Sequence, residues 1–296
     1  MADENLYLGR PGALFTLPMP RGNVQATRMR PRFEFDTASG GKRVGELPGG
    51  KRRYVLRYDS LPLDIYAWLD SVHQGTEGPG PFVLLEPGRR NQLTANQSGA
   101  TSERNATTGF TASVGALTSE STTFRRGPRS LKWTFSATTA GTVDCDSPSS
   151  SWYGVPTFAS RSQTFGFYAL GAGTDAIVTL GAQIRWLTTT GSVISTSSGS
   201  TASTNSSTWT QYTVTATAPS TAAFAMARIN ASAGISNGSI LYLDQLQLEE
   251  GSTANAWVPG TGVIPVHPIT LDDEWPWGFT DYRRGADLVL QEVGSA

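Results

Sequence analysis

Residues 176–187 alternate in polarity over twelve positions. That period of two fits a long half-buried β-strand and does not fit a helix. Val178, Leu180, Ala182, Ile184 and Trp186 share one face, while Gln183 and Arg185 share the other. The pattern returns at residues 130–135 (SLKWTF), with Leu131, Trp133 and Phe135 together, and at 208–219, with Tyr212, Val214 and Ala216 together. Residues 164–170, 224–230 and 240–248 add further strands. Ser, Thr, Ala and Gly fill the space between them, and charged residues are only 16% of the 296. Such a region, 98–258, reads as several strands joined by polar turns, hence an all-β sandwich. The Ser/Thr tract at 188–207 is broken by Val193 and Ile194 and reads as strand plus loop. Trp133, Trp186 and Trp209 are expected in its core.

The flanking sequence differs. In 1–95, Phe33 and Phe35 mark one half-buried strand, and Tyr54, Leu56 and Tyr58 mark another. Glycine pairs at 40–41 and 49–50 bracket an expected hairpin. One helix is expected. Ser60 is its candidate N-cap, Pro62 suits its first turn, and Asp64 suits its positive end. Leu61, Ile65, Trp68, Leu69 and Val72 form its apolar stripe, and Gly75 stops it. Residues 82–85 (FVLL) read as a strand buried on both faces, and 91–98 (NQLTANQS) as a crossing between domains. After residue 260 the prolines at 265, 268 and 276 interrupt the chain, and 287–293 alternates as a closing strand.

Charge gives a weak hint that the two ends pair. Residues 1–95 carry 13 Lys/Arg against 10 Asp/Glu, and residues 263–296 carry 2 against 6. The whole chain has a net charge of −1, which offers no case for nucleic acid or for an anionic membrane. No apolar run approaches the roughly 20 residues needed to span a bilayer. Residues 1–10 are polar and lack a signal-peptide apolar region, so no secretory export is expected. Cys145 is the single cysteine; it permits no intrachain disulfide and reads as a small, partly buried residue.

Two resemblances follow from these pieces. Residues 127–135 (GPRSLKWTF), 207–230 (STWTQYTVTATAPSTAAFAMARIN) and 240–260 (ILYLDQLQLEEGSTANAWVPG) resemble carbohydrate-binding jelly-roll modules. Residues 79–87 (PGPFVLLEP), 91–98 and 276–294 (PWGFTDYRRGADLVLQEVG) look like the split tail-tube-like domain of siphophage distal tail and minor tail proteins. Together they imply a mainly β fold: a split tail-tube-like β-barrel or sandwich with one α-helix, plus an inserted jelly-roll β-sandwich. The expected division is 1–95 with 263–296 for assembly, and 96–262 for the insertion.

The function implied is that of a structural subunit of a bacteriophage tail tip or baseplate. The resemblance implies a homohexameric ring, tail-tube and tail-tip hub partners, a virion-tail location reached through lysis, and contact with host cell-wall glycan through the insertion. The alternative is a glycan-binding accessory module of an extracellular polysaccharide-degrading system.

Site residues are expected as follows. Glycan binding needs aromatic faces and polar side chains. Trp152 and Tyr153, in a polar turn-like stretch, are the candidate ring faces, with a loop aromatic tucked against the sandwich as the rival reading. Gln183 and Arg185 are candidate polar contacts or solvated residues. The resemblance implies a structural Ca2+, with Asp244 and Glu103 as possible ligands and plain hydrogen bonding of Asp244 as the rival. Asp272, Asp273, Trp275 and Trp277 suggest a subunit interface, because interface cores favour aromatics. Packing inside its own barrel is the rival for that segment. Lys51, Arg52 and Arg53 form a basic run that would meet such acids across a ring, with a solvated hairpin as the rival reading. No catalytic residue is assigned: the two histidines sit in no metal motif, and Asp144 and Asp146 read as a solvated loop rather than a carboxylate pair.

Overall fold

The computed structural model describes residues 6–22, 24–29, 32–36, 42–46, 51–78, 80–86, 91–102, 105–147, 152–274 and 283–293. In chain order the leading strands are β1 (Leu6–Arg10), β2 (Ala13–Leu17), β3 (Gln25–Met29), β4 (Arg32–Asp36), β5 (Lys42–Glu46) and β6 (Lys51–Pro62). Helix α1 (Leu63–Gln74), β7 (Phe82–Leu85) and the one-turn helix α2 (Ala95–Ser98) follow. Then come β8 (Phe110–Ala112), β9 (Ala116–Glu120), β10 (Ser130–Thr134), β11 (Gly141–Cys145), β12 (Val155–Pro156), β13 (Ser162–Gly173) and β14 (Thr179–Leu187). The rest are β15 (Val193–Ser198), β16 (Ala202–Ser203), β17 (Thr210–Thr217), β18 (Phe224–Ala233), β19 (Ser239–Glu250), β20 (Ile264–Glu274) and β21 (Arg283–Glu292). The fold is mainly β, and each of its sheets contains antiparallel pairs. Among the described residues no helix is long and apolar enough to cross a membrane.

The chain divides into two compact units. Leu85–Val263 builds the first, and Pro11–Leu14 belong with it. The chain before Leu85 and after Val263 supplies the second. The expected limits were 95/96 and 262/263. The early limit falls sooner because residues 91–98 are tied into the sandwich. Asn91, fully buried, donates through Nδ2 to the Leu246 and Val258 carbonyls, both at 2.9 Å, and to Ser98 Oγ at 2.7 Å. Thr94 caps α2 with Gln97 in a reciprocal capping box.

The second unit is organised by a sheet of order β2-β1-β7-β20-β21-β6-β3. Two strands from the end of the chain therefore lie between strands from its beginning: Ile264 pairs with Leu84, and Leu288 with Leu56. Helix α1 packs on β6, β20 and β21 through Tyr66, Leu69 and Val72. Leu56, Leu69, Leu84, Val266, Leu288 and Leu290 are buried together. The helix starts later than expected. Pairing of Leu61 with Arg284 and of Pro62 with Arg283 keeps β6 extended, so Pro62 rather than Ser60 takes the N-cap, without a side-chain bond. Gly75 closes the other end at φ 76°, as a left-handed cap residue. Lys42–Glu46, expected to hold a hairpin between the two glycine pairs, is instead a single strand that pairs with Arg32–Asp36, because cross-strand pairing with residues before the first glycine pair takes up its whole length.

The first unit is a β-sandwich. One sheet has the order β17-β13-β19-β10-β9; the other has β15-β14-β18-β11-β8, with β12 and β16 beside it. Trp133, Phe135, Phe165, Ile184, Trp186 and Leu243 are buried in its core. The two core tryptophans satisfy their N–H groups, Trp133 on the Val114 carbonyl at 2.7 Å and Trp186 on Ser197 Oγ at 2.9 Å. Trp209, expected in this core, is only half-buried.

Leu288 sits on a strand that bridges early and late sequence. Replacing it with Ala should lower the unfolding free energy of the second unit by about 2–5 kcal/mol, measured by urea titration. A value near zero would mean that β21 does not hold this sheet together.

Candidate functional site

The site is set by one irregularity in β19. Strand pairing with β13 joins Gly166 to Gln247 but Tyr168 to Asp244, so β19 carries one residue more than its partner. This is a β-bulge, and it reverses the in–out phase of everything beyond it. Before the bulge, Leu241 and Leu243 point to the core; after it, Leu246 and Leu248 do. Gln247 and Glu249 are thereby moved to the outer face. Gln245 occupies the bulge itself at φ 51°, a left-handed conformation that costs energy in a residue with a side chain.

The outer face beyond the bulge is partly roofed by residues 252–258. Val258 N donates to Gln247 Oε1 at 2.8 Å. Glu249 accepts from Asn255 N at 2.7 Å and from Asn255 Nδ2 at 2.9 Å. Trp257 Nε1 donates to the Leu246 carbonyl at 3.3 Å. Between this roof and the sheet is a cavity of about 220 Å³, lined by Tyr168, Gln211, Gln245, Gln247, Glu249, Asn255 and Trp257 among others. Gln245 is 4% exposed, and its Oε1 has no hydrogen-bond partner. A buried acceptor left unpaired costs roughly 1–3 kcal/mol, and such cases call for an explanation.

Asp244 fixes one edge of the same site. It is 1% exposed. Its Oδ2 accepts from Arg125 N at 2.7 Å and Arg126 N at 2.9 Å, and its Oδ1 accepts from Gln245 N at 2.6 Å. Burial pushes its carboxyl above the ordinary range, against the lowering effect of these N–H groups. The donors all come from backbone nitrogen, which is the hydrogen-bonded arrangement expected as the rival to a calcium ligand. Glu103, the other expected ligand, lies outside the described residues. Among the described residues no group of three or more His, Cys, Asp or Glu could hold a metal.

The other expected residues are placed elsewhere. Trp152 is 6% exposed and so offers no open ring face. Tyr153 is 49% exposed and stands edge-on to Phe224, with ring centroids 5.9 Å apart. Gln183 and Arg185 lie on β14 in the other sheet. Gln183 donates to Ser198 Oγ at 3.1 Å, and Arg185 to Asp144 Oδ2 at 3.5 Å. None of the four lines the cavity. Asp144 is not in a solvated loop: it sits on β11 and is gripped by Arg228 through Nε at 2.5 Å and Nη2 at 2.7 Å. Burial raises the Asp146 carboxyl, and Thr111 Oγ1 donates to it at 3.1 Å.

In the second unit, Lys51, Arg52 and Arg53 begin strand β6 rather than standing in a loop. Arg52 N donates to Glu292 Oε2 at 2.8 Å. Asp272 and Asp273 lie on β20, and Asp273 accepts from Tyr66 Oη at 3.1 Å and Arg284 Nη1 at 3.3 Å. Trp275 and Trp277 lie outside the described residues.

No protein-family model matches the sequence, and no curated protein matches it. Solved structures do resemble it. The CBM22-1 xylan-binding domain from Paenibacillus barcinonensis Xyn10C is 14% identical, with a TM-score of 0.41 over 52% of this chain and 92% of that one. A xylan-binding domain described as CBM 22, formally x6b, is 14% identical, with a TM-score of 0.43 over 57% of this chain and 100% of that one. The enzymatically active domain of bacteriophage CBA120 tailspike protein 4 is 17% identical, with a TM-score of 0.40 over 54% of this chain and 21% of that one.

The phase change in residues 240–250 was only half legible without coordinates. Apolar residues take even positions at 246 and 248, after Asp244-Gln245, but residues 240–243 are an unbroken apolar run that sets no phase. Sequence reasoning missed the cavity because it read this stretch as one uninterrupted strand. Replacing Asp244 with Ala should remove about 1–3 kcal/mol of stability by stranding its N–H donors. It should also speed amide hydrogen exchange at Arg125 and Arg126. Unchanged exchange at both would mean that Asp244 does not hold this loop.

Proposed function

We propose that the first unit is a glycan-binding module, and that its ligand enters the cavity beside the β19 bulge. The observation that carries this reading is a cavity bordered by amides, a carboxylate and three aromatic residues, with the buried Gln245 in its lining. Sugars present hydroxyl donors and acceptors around an apolar ring, and amide side chains with nearby aromatics match both. Three carboxylates of this unit have structural partners: Asp144 with Arg228, Asp244 with three N–H groups, and Glu249 with Asn255. Such roles suit recognition better than the two facing carboxylates of glycoside hydrolysis.

We propose further that the whole chain is a structural subunit of a bacteriophage tail tip, of distal-tail type, which carries the module as an insertion. The support is the interleaving of β20 and β21 with β6 and β7, so that both ends of the chain belong to one sheet. A ring of such subunits would raise the avidity of individually weak sites on one cell surface.

The Gln245→Ala variant tests the first statement. No hydrogen bond to Oε1 is lost, so stability should hold within about 1 kcal/mol, while binding on a glycan array of the full chain should fall by about tenfold. Retained binding would remove the cavity from the reading. Mass measurement of the full chain in solution tests the second. A closed ring is expected, and a strict monomer at all concentrations would favour an accessory module of a polysaccharide-degrading system.

A further inference from the structure

The loop between β9 and β10, residues 121–129, contains three arginines and no acid. Two of them lie against aromatic residues of the cavity wall. The Arg125 guanidinium lies 3.6 Å from the ring centroid of Tyr168, and that of Arg126 lies 5.2 Å from the ring of Trp257. Both aromatic residues line the cavity. Both arginines are exposed, and neither guanidinium makes a hydrogen bond or ion pair among the described residues. The nearby Asp244 is buried and spends its oxygens on backbone N–H groups; the Arg125 charge also lowers its carboxyl, as the smallest of the influences on it.

Two consequences follow. The rings of Tyr168 and Trp257 each have a guanidinium stacked against them, which takes up apolar surface that a neutral sugar would use. A guanidinium stacked on a ring still presents its N–H edge outward, in the fork that matches carboxylate or phosphate oxygens. The one carboxylate in the cavity wall, Glu249, opposes an anion. It pairs with Thr164 on β13, four residues from Tyr168, or roughly 13 Å along an extended strand. The arginine rim and the carboxylate thus mark opposite ends of the site.

We propose that the cavity takes an acidic sugar, with its carboxylate or phosphate held at the Arg125–Arg126 rim and its hydroxyls met by Gln211, Gln245 and Asn255. This rests on the glycan-binding reading and adds the ligand's charge to it. Asp244 acts as a positioning residue, since its bonds to the backbone of both arginines fix where their side chains begin.

Titration calorimetry on the full chain with trigalacturonate, a glycerol-phosphate trimer and neutral xylotriose tests the proposal. One of the two anionic probes should bind at least about tenfold tighter than xylotriose, the factor that one charge-assisted hydrogen bond supplies. Which of them wins identifies a uronate or a phosphate polymer as the source. The preference should shrink as ionic strength rises past about 0.1 M, where the screening length is about 10 Å. The double variant Arg125→Gln, Arg126→Gln keeps the backbone bonds to Asp244 and should lose the preference. Xylotriose binding as tightly as the better of the two anions, or a preference that survives in the double variant, would overturn the inference and leave glycan binding standing. Absence of binding by all three probes would overturn both.

Discussion

A single additional residue in β19 organises the sandwich's outer face. A strand without the bulge would send Gln247 and Glu249 toward the core, where an amide and a carboxylate would be costly to bury. The bulge turns them outward and lets Leu246 and Leu248 fill the interior instead. It also leaves Gln245 in a left-handed backbone conformation with its carbonyl oxygen unpaired. Two local costs, backbone strain and an unsatisfied acceptor, thus coincide at one residue, which is where functional constraint is most often found. Asp244, on the other side of the same irregularity, uses its carboxylate to seize the loop that bears Arg125 and Arg126.

A second constraint closes the sandwich on itself. Asn91 stands where the chain enters it, and its side chain reaches Leu246 on β19 and Val258 on the exit segment. Its Oδ1 accepts from Leu248 N at 3.3 Å and from Leu93 N at 3.2 Å. One buried amide therefore joins entrance, central strand and exit. The backbone agrees, since Gln92 N donates to the Leu248 carbonyl at 2.8 Å and Gly262 N to the Leu93 carbonyl at 2.9 Å. An insertion whose two ends are clasped this way is compatible with a host sheet that receives the chain back at Ile264 opposite Leu84.

Much of this fold was written in simple periodicity. Leu131, Trp133 and Phe135, and the run from Val178 to Trp186, follow a period of two and are buried as that period requires. The helix was legible from Asp64, Leu69, Val72 and Gly75, but its first residue was not. Ser60 and Pro62 favour a helix start locally, and pairing with Arg283 and Arg284 across the sheet outweighs them. The site was less legible for the same reason. Trp152 in a Ser-rich turn looks exposed by its neighbours in sequence, yet tertiary packing buries it. Gln183 and Arg185 were correctly placed on an outer face, but periodicity does not say that Ser198 and Asp144 engage them there. Tyr168, Gln211 and Trp257 are separated by scores of residues, and only the pairing of β13 with both β17 and β19 brings the first two beside the bulge.

The rim arginines illustrate how a surface can be made ready for a ligand. A free arginine side chain surrenders up to about 2 kcal/mol of rotamer entropy when it is fixed, and two such residues would consume much of the gain from binding an anion. Here the backbone of each is anchored to a buried carboxylate, and each guanidinium rests against an aromatic ring. Most of the ordering has thus taken place during folding. The same stacking lowers exposure of the rings to water without burying the guanidinium N–H groups, so the charge stays available at the surface. The sandwich core supplies the rigidity, the bulge supplies the opening, and the loop held by Asp244 supplies the charge. Loss of the buried aspartate would therefore loosen the backbone from which both side chains start.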